Sequence, residues 1–168
     1  EEMRDAYAYK LGLDITSIGT RRSKATIHAG NPLDIPFKMA SAILAEFGGD
    51  YKGILSQIFK NWHYVFEFFQ MPTDRSKKKL KTISEFRYDI ESDKVSIHTI
   101  CKYDVENDRW RWKWDMGEDK TNMSKMQPEE FKKMKNMIKM LESRNPIMEN
   151  TVVYPRYYKS EGETKDVR

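Results

Sequence analysis

Residues Arg109, Trp110, Arg111, Trp112, Lys113, Trp114, Asp115 and Met116 alternate without a slip. Three Trp and a Met hold the even positions, three cations and Asp115 the odd ones. Successive side chains of a strand point to opposite faces, so one face is a tryptophan stripe and the other a cationic row. Rings stack on exposed bases and cations neutralise phosphates, which is the chemistry of a polyanion platform. The plainer reading packs the three Trp inside, against a helix at 131–141. It leaves Arg109, Arg111 and Lys113 pointing outward together.

Two further basic clusters stand elsewhere: Arg75, Lys77, Lys78, Lys79 and Lys81 in one stretch, and Arg21, Arg22 and Lys24 in another. Each alone reads as a solvated loop; converging, they would track a phosphate backbone. His28, His63 and His98 each fall in or beside an expected strand and have no neighbour at metal-ligand spacing. They read as ordinary strand histidines. Cys101 reads as a small buried residue. Asp104, Glu106 and Asp108 lack the glycine and terminal acid of a calcium loop and read as a solvated turn. No phosphate loop, nucleophile elbow or paired-carboxylate signature is present, so a non-enzymatic protein without metal or cofactor is expected.

The elements that must position these residues follow from period and punctuation. Tyr7, Tyr9, Leu11, Leu13 and Ile15 alternate and predict a strand over 7–15; 25–28 reads as a second, short one. Phe37, Ala40, Ile43, Leu44 and Phe47 take helical spacing, with Asn31 or Asp34 as cap and Pro32 or Pro36 in the first turn, and Gly48-Gly49 ends the helix. Tyr51 to Phe59 predicts a short second helix. Period two returns at 62–69, where Trp62, Tyr64, Phe66 and Phe68 share a face. Residues 73–81 read as a polar loop and 83–90 as a strand. A hairpin follows, with strands over 95–105 and 109–116 turned by Glu106-Asn107-Asp108. Pro128-Glu129-Glu130 starts a helix with buried stripe Phe131, Met134, Met137, Ile138 and Leu141.

The chain has 168 residues, 30 Lys and Arg against 26 Asp and Glu, and net charge +4. That balance permits a polyanion partner but requires the charges to segregate. A single Cys excludes an internal disulfide and points to an intracellular setting (cytoplasmic, nuclear, organellar or host-cell). No apolar run approaches a membrane span and no signal peptide opens the chain. Met, Lys and Asn are abundant, as in the proteins of AT-rich viral or parasite genomes.

The expected fold is α+β: antiparallel sheet built from hairpins, backed by two main amphipathic helices. The domain is placed at 1–145, with 146–168 a partly flexible C-terminal extension. Placing Phe37 over Phe131 aligns Ala40 with Met134 and Leu44 with Ile138, which suggests a strands–helix duplication with units 5–49 and 62–143. Any two amphipathic helices match this well, so both readings stand.

The stretch from Lys94 to Leu141, above all Met123-Ser124-Lys125-Met126-Gln127-Pro128-Glu129-Glu130-Phe131, resembles the single-stranded-DNA-binding unit of the positive-cofactor-four-type coactivators. Two such units in one chain would be similar to the Whirly proteins and the kinetoplastid guide-RNA-binding proteins. The resemblance implies binding of single-stranded DNA or RNA by a small homo-oligomer. The residues expected at phosphates are Arg109, Arg111, Lys113, Lys102, Lys77, Lys78 and Lys79; those expected to stack are Tyr64, Phe66 and Tyr88, with Trp112 as an outside choice. The alternative is a self-assembling viral structural protein, matrix- or nucleocapsid-like, that contacts a membrane surface or a genome.

Overall fold

The computed structural model describes residues 2–18, 24–71, 74–89, 91–92, 94–117, 127–148 and 151–154. The chain is α+β. Helices α1 (Ala6–Ser17), α2 (Ile35–Phe47) and α3 (Tyr51–Asn61) come first, with a 3-10 turn at Pro32–Asp34. Strands β1 (Tyr64–Met71), β2 (Asp74–Asp89), β3 (Lys94–Asp104) and β4 (Arg109–Trp112) follow, then α4 (Pro128–Arg144) and β5 (Thr151–Tyr154). The sheet is antiparallel in the order β1-β2-β3-β4, and β5 pairs with β3 beside β4.

Helices α1–α3 build the core against one end of the sheet. Tyr9 and Leu13 of α1, Met39, Ala40 and Ile43 of α2, and Leu55, Ile58 and Phe59 of α3 are buried with Phe86, Val95 and Ile97. The Phe59 ring stacks on Tyr88 at 5.1 Å and meets Phe86 edge-on at 5.7 Å. Burying each such side chain contributes about 1.5–3 kcal/mol. Asp50 caps α3 by accepting from the Gly53 amide at 2.6 Å. Gly48 ends α2 at φ 69, a left-handed backbone suited to glycine; Asp34 precedes α2 but makes no side-chain cap bond.

Several sequence expectations change. The strand over 7–15 is helix α1: Asp5 accepts from the Ala8 amide at 2.9 Å, and Lys10 bonds Asp14 one turn on at 2.6 Å. Only Tyr9 and Leu13, four apart, and Gly12 are buried along it. The expected strand at 25–28 is reduced to a bridge between Thr26 and Glu2. Among its described residues, segment 5–49 thus holds helices α1 and α2 and no strand, where the duplication required strands. The polar loop expected at 73–81 is strand over its described residues 74–81, because β2 begins at Asp74 and pairs with β1 as far as Met71 opposite Asp74. The strand from Arg109 ends at Trp112 rather than Met116. The Trp114 amide turns to the Glu142 carboxylate at 2.9 Å and Asp115 turns back over the sheet, which breaks the ladder. In α4 only Ile138 is fully buried, and Met137 is exposed. Within the expected C-terminal extension, β5 joins the sheet. Arg21 and Arg22, residues 123–126 of the Met123–Phe131 segment and the last ten residues lie outside the described residues.

Candidate functional site

β1 has one face open. Its burial alternates along the whole strand, and Tyr64, Phe66 and Phe68 are 36, 57 and 62 % exposed. Alternate residues stand about 6.8 Å apart, so the rings form a strip. Gln70 extends the strip, with exposed Lys78 directly opposite it on β2. At its other end, Tyr64 donates to the buried Glu85 at 3.4 Å. Burial first, then the Glu85 charge, holds the Tyr64 hydroxyl well above the ordinary phenol range.

The other chosen cations do not gather on this strip. Lys77 pairs with Asp74 at 3.3 Å. Lys79 turns to the β3–β4 hairpin, donating to Asp108 and to Tyr103 at 2.7 Å each, and lies 4.6 Å over the Tyr103 ring. Lys102 lies opposite Arg111, and Arg109 opposite Asp104, so all four share one side of the hairpin. Lys102 and Arg109 are exposed there. Arg111 is bound to Asp104 through Nε at 2.8 Å and Nη2 at 2.6 Å. Lys113 lies beyond the strand, its amide donating to the Ile100 carbonyl at 2.9 Å. Tyr88 is spent in the core on Phe59, so its ring is not available for stacking. The plainer reading holds for Trp114, which packs on Phe131 of α4, but Trp112 is only half-buried and Trp110 is exposed. Trp110 meets Tyr103 at 5.3 Å and donates to the Leu80 carbonyl at 3.2 Å.

The acids of the β3–β4 turn build it. Asp104 accepts from the Asn107 amide, and Asp108 takes φ 44, a conformation Asp tolerates. Hydrogen bonds from Arg111 and then Asn107 hold the Asp104 carboxyl down to about 2. Its folded value lies below the ordinary 3.8, so its contribution to stability is complete above that value and fades as pH falls towards 2. In Arg111→Gln the Asp104 carboxyl should titrate close to the ordinary range, read by carboxyl-detected NMR. An unmoved midpoint would show that Arg111 is not the cause.

The sequence reading missed a polar network behind Tyr64. Glu85 faces His98 across β2 and β3, and Arg87 faces Ser96. Arg87 grips Glu85 Oε2 through Nε at 2.9 Å and Nη2 at 2.8 Å, and reaches the Asp115 carbonyl at 2.7 Å. Asp115 holds His98 Nδ1 at 2.9 Å, and Ser96 Oγ lies 2.9 Å from His98 Nε2. The Gly117 amide donates to Glu85 at 2.7 Å. Hydroxyl, imidazole and carboxylate stand in the order of a proton relay, but acyl transfer also needs N–H donors for an oxyanion. Ser96 sits on a strand paired on both sides, by Arg87 and by Val153, which commits the nearby amides to the ladder. The network's work is to clamp residues 115–117 across the sheet. Glu85 and Arg87, then Ser96 and His98, are alternate polar residues on consecutive strands, and that was the signal available.

No protein-family model, curated protein or solved structure matches this chain significantly. Among the described residues no group of His, Cys, Asp and Glu could hold a metal ion, and no helix is long and apolar enough to cross a membrane. Burial pushes the Cys101 thiol up to about 12, which leaves it unreactive. A shallow hollow of about 260 Å³ is lined by Glu2, Arg4, His28 and Lys38 among others. Its charges are already engaged: Glu2 pairs with Arg4 and His28, and Lys38 donates to the His28 carbonyl.

Proposed function

We propose that the chain binds single-stranded nucleic acid, DNA or RNA, without catalysis, through the open face of the β1–β2 hairpin. The observation that carries this reading is the strip of exposed Tyr64, Phe66 and Phe68, ending beside Lys78 on a strand rich in Lys and Arg. Exposed bases would stack on the rings while Lys78, with exposed Arg75 near the hairpin end, meets phosphates. Duplex DNA hides its base faces and would gain only the phosphate contacts. The binding surface is therefore smaller than the sequence suggested: Lys102 and Arg109 form at most a separate contact on the β3–β4 hairpin.

Anisotropy titrations of labelled single-stranded DNA, single-stranded RNA and duplex DNA at two salt concentrations test this. Single strands should be preferred, and Phe66→Ala should weaken binding roughly tenfold, the lower range of one lost stack. Arg75→Glu with Lys78→Glu should flatten the salt dependence by about 1.4 in log–log slope, two phosphates at about 0.7 each. Absence of binding at low salt, or indifference to Phe66→Ala, would overturn the reading. The alternative, a self-assembling structural protein, draws on a different feature of the same strand: its open edge.

A further inference from the structure

β1 is the outer strand, and among the described residues no strand pairs with its far side. In an antiparallel ladder the N–H and C=O of one residue point the same way, and that direction alternates along the strand. The Phe86 amide donates to the His63 carbonyl at 2.9 Å. His63, Val65 and Glu67 therefore turn their backbone groups to β2, while those of Tyr64, Phe66 and Phe68 turn to the open edge. The register shift between Glu67 and Phe68 adds its extra residue, Lys81, to β2, so β1 itself runs unbroken. Edge strands are usually blunted by Lys or Pro. β1 contains neither, nor any Arg, and its one charge, Glu67, is engaged by Lys81 at 2.7 Å and Thr82 at 3.1 Å.

We propose that β1 pairs antiparallel with β1 of a second copy, about a two-fold axis at Phe66, to make one continuous sheet. The strand is complementary to itself in that register. Phe66 falls opposite its own copy and Tyr64 opposite Phe68, giving aromatic pairs across the seam. Val65 falls opposite Glu67, so no like charges meet; a two-fold axis at Glu67 would set two carboxylates face to face. The basic stretches are also kept apart. Lys78 stands opposite Gln70, and the two copies of Gln70 would lie about 27 Å apart along the seam. That is roughly three Debye lengths at physiological salt, so their repulsion is screened. The closed, isologous contact uses up the edge and stops at two copies. The pairing goes beyond the binding reading and is measured without nucleic acid, so each can fail alone.

Sedimentation equilibrium of the full chain across a wide concentration range is the test. The expected result is a monomer–dimer equilibrium from 20.0 to about 40 kDa, twice the chain mass. Phe66→Pro removes an outward N–H on each copy while sparing the bonds to β2, and should weaken the dimer about a hundredfold. Phe66→Ala keeps that N–H and should weaken it less than about tenfold. Hydrogen exchange of the unmodified chain gives a second readout. The Tyr64 and Phe66 amides should exchange slowly when concentrated and fast when dilute. A monomer at every concentration, open-ended polymers, a dimer indifferent to Phe66→Pro, or exchange of those amides that ignores concentration would each overturn the proposal.

Discussion

Arg87→Met is expected to lower the free energy of unfolding by about 3 kcal/mol, the order found when one partner of a buried ion pair is removed. The Glu85 side chain is 1 % exposed, and its Oε2 accepts from two Arg87 nitrogens and from the Gly117 amide. Without the guanidinium, a buried carboxylate keeps one amide and a long bond from Tyr64. The loss spreads, because Arg87 also holds the Asp115 carbonyl, and Asp115 orients His98. The double variant Glu85→Gln, Arg87→Met removes the stranded charge and should recover a large part of the loss, as coupled neighbours do. Lys81→Met is the control. Lys81 meets Glu67 on the surface, and such pairs are worth about 0–1 kcal/mol. Urea midpoints at neutral pH measure all three. A cost for Arg87→Met no larger than that for Lys81→Met would mean that Glu85 is hydrated and the clamp contributes little.

Much of the α+β fold was legible in the sequence because its signals were local. Pro36 and Gly48 bracket α2, Pro128 opens α4, and the β3–β4 hairpin alternates on both sides of an Asp-rich turn. The failures have physical causes. Residues 7–15 satisfy period two through Tyr7, Leu11 and Ile15, yet these three are exposed, and the pattern that decides burial is Tyr9 with Leu13. The deciding clue was Asp5, a cap before Ala6 and Ala8, which are strong helix formers. The basic stretch from Arg75 looked like a loop because Lys is poor in strands. Pairing with β1 overrides that preference, as tertiary context does for a hairpin whose outer half is solvated.

Of the candidate site, the aromatic strip on β1 was legible and the distribution of cations was not. Charge runs say how many Lys and Arg a strand carries, but not which of them already face an acid. Arg111 and Asp104 are seven apart in sequence and opposed diagonally only once the hairpin closes. Lys79 and Asp108 belong to different hairpins altogether. Of the alternating strand's cations, Arg111 is taken up by Asp104 and Arg109 stands exposed near Lys102 of β3, whereas Lys78, one of a run, sits where the exposed rings end.

The helix over residues 6–17 makes a sharp demand on two leucines. Leu13→Ala is expected to cost about 3 kcal/mol and Leu11→Ala less than about 0.5 kcal/mol. Leu13 is 2 % exposed and belongs to the cluster with Met39, Ile43 and Leu55, whereas Leu11 is 60 % exposed. Ala is a good helix former, so neither change should unwind α1 by propensity. The difference between the two reads packing alone. A strand over 7–15 would place Leu11 and Leu13 on one buried face, two residues apart, and the two truncations would cost alike. Urea unfolding followed by circular dichroism settles the matter on two single variants. Equal costs would return this segment to the sheet and remove α1 from the core.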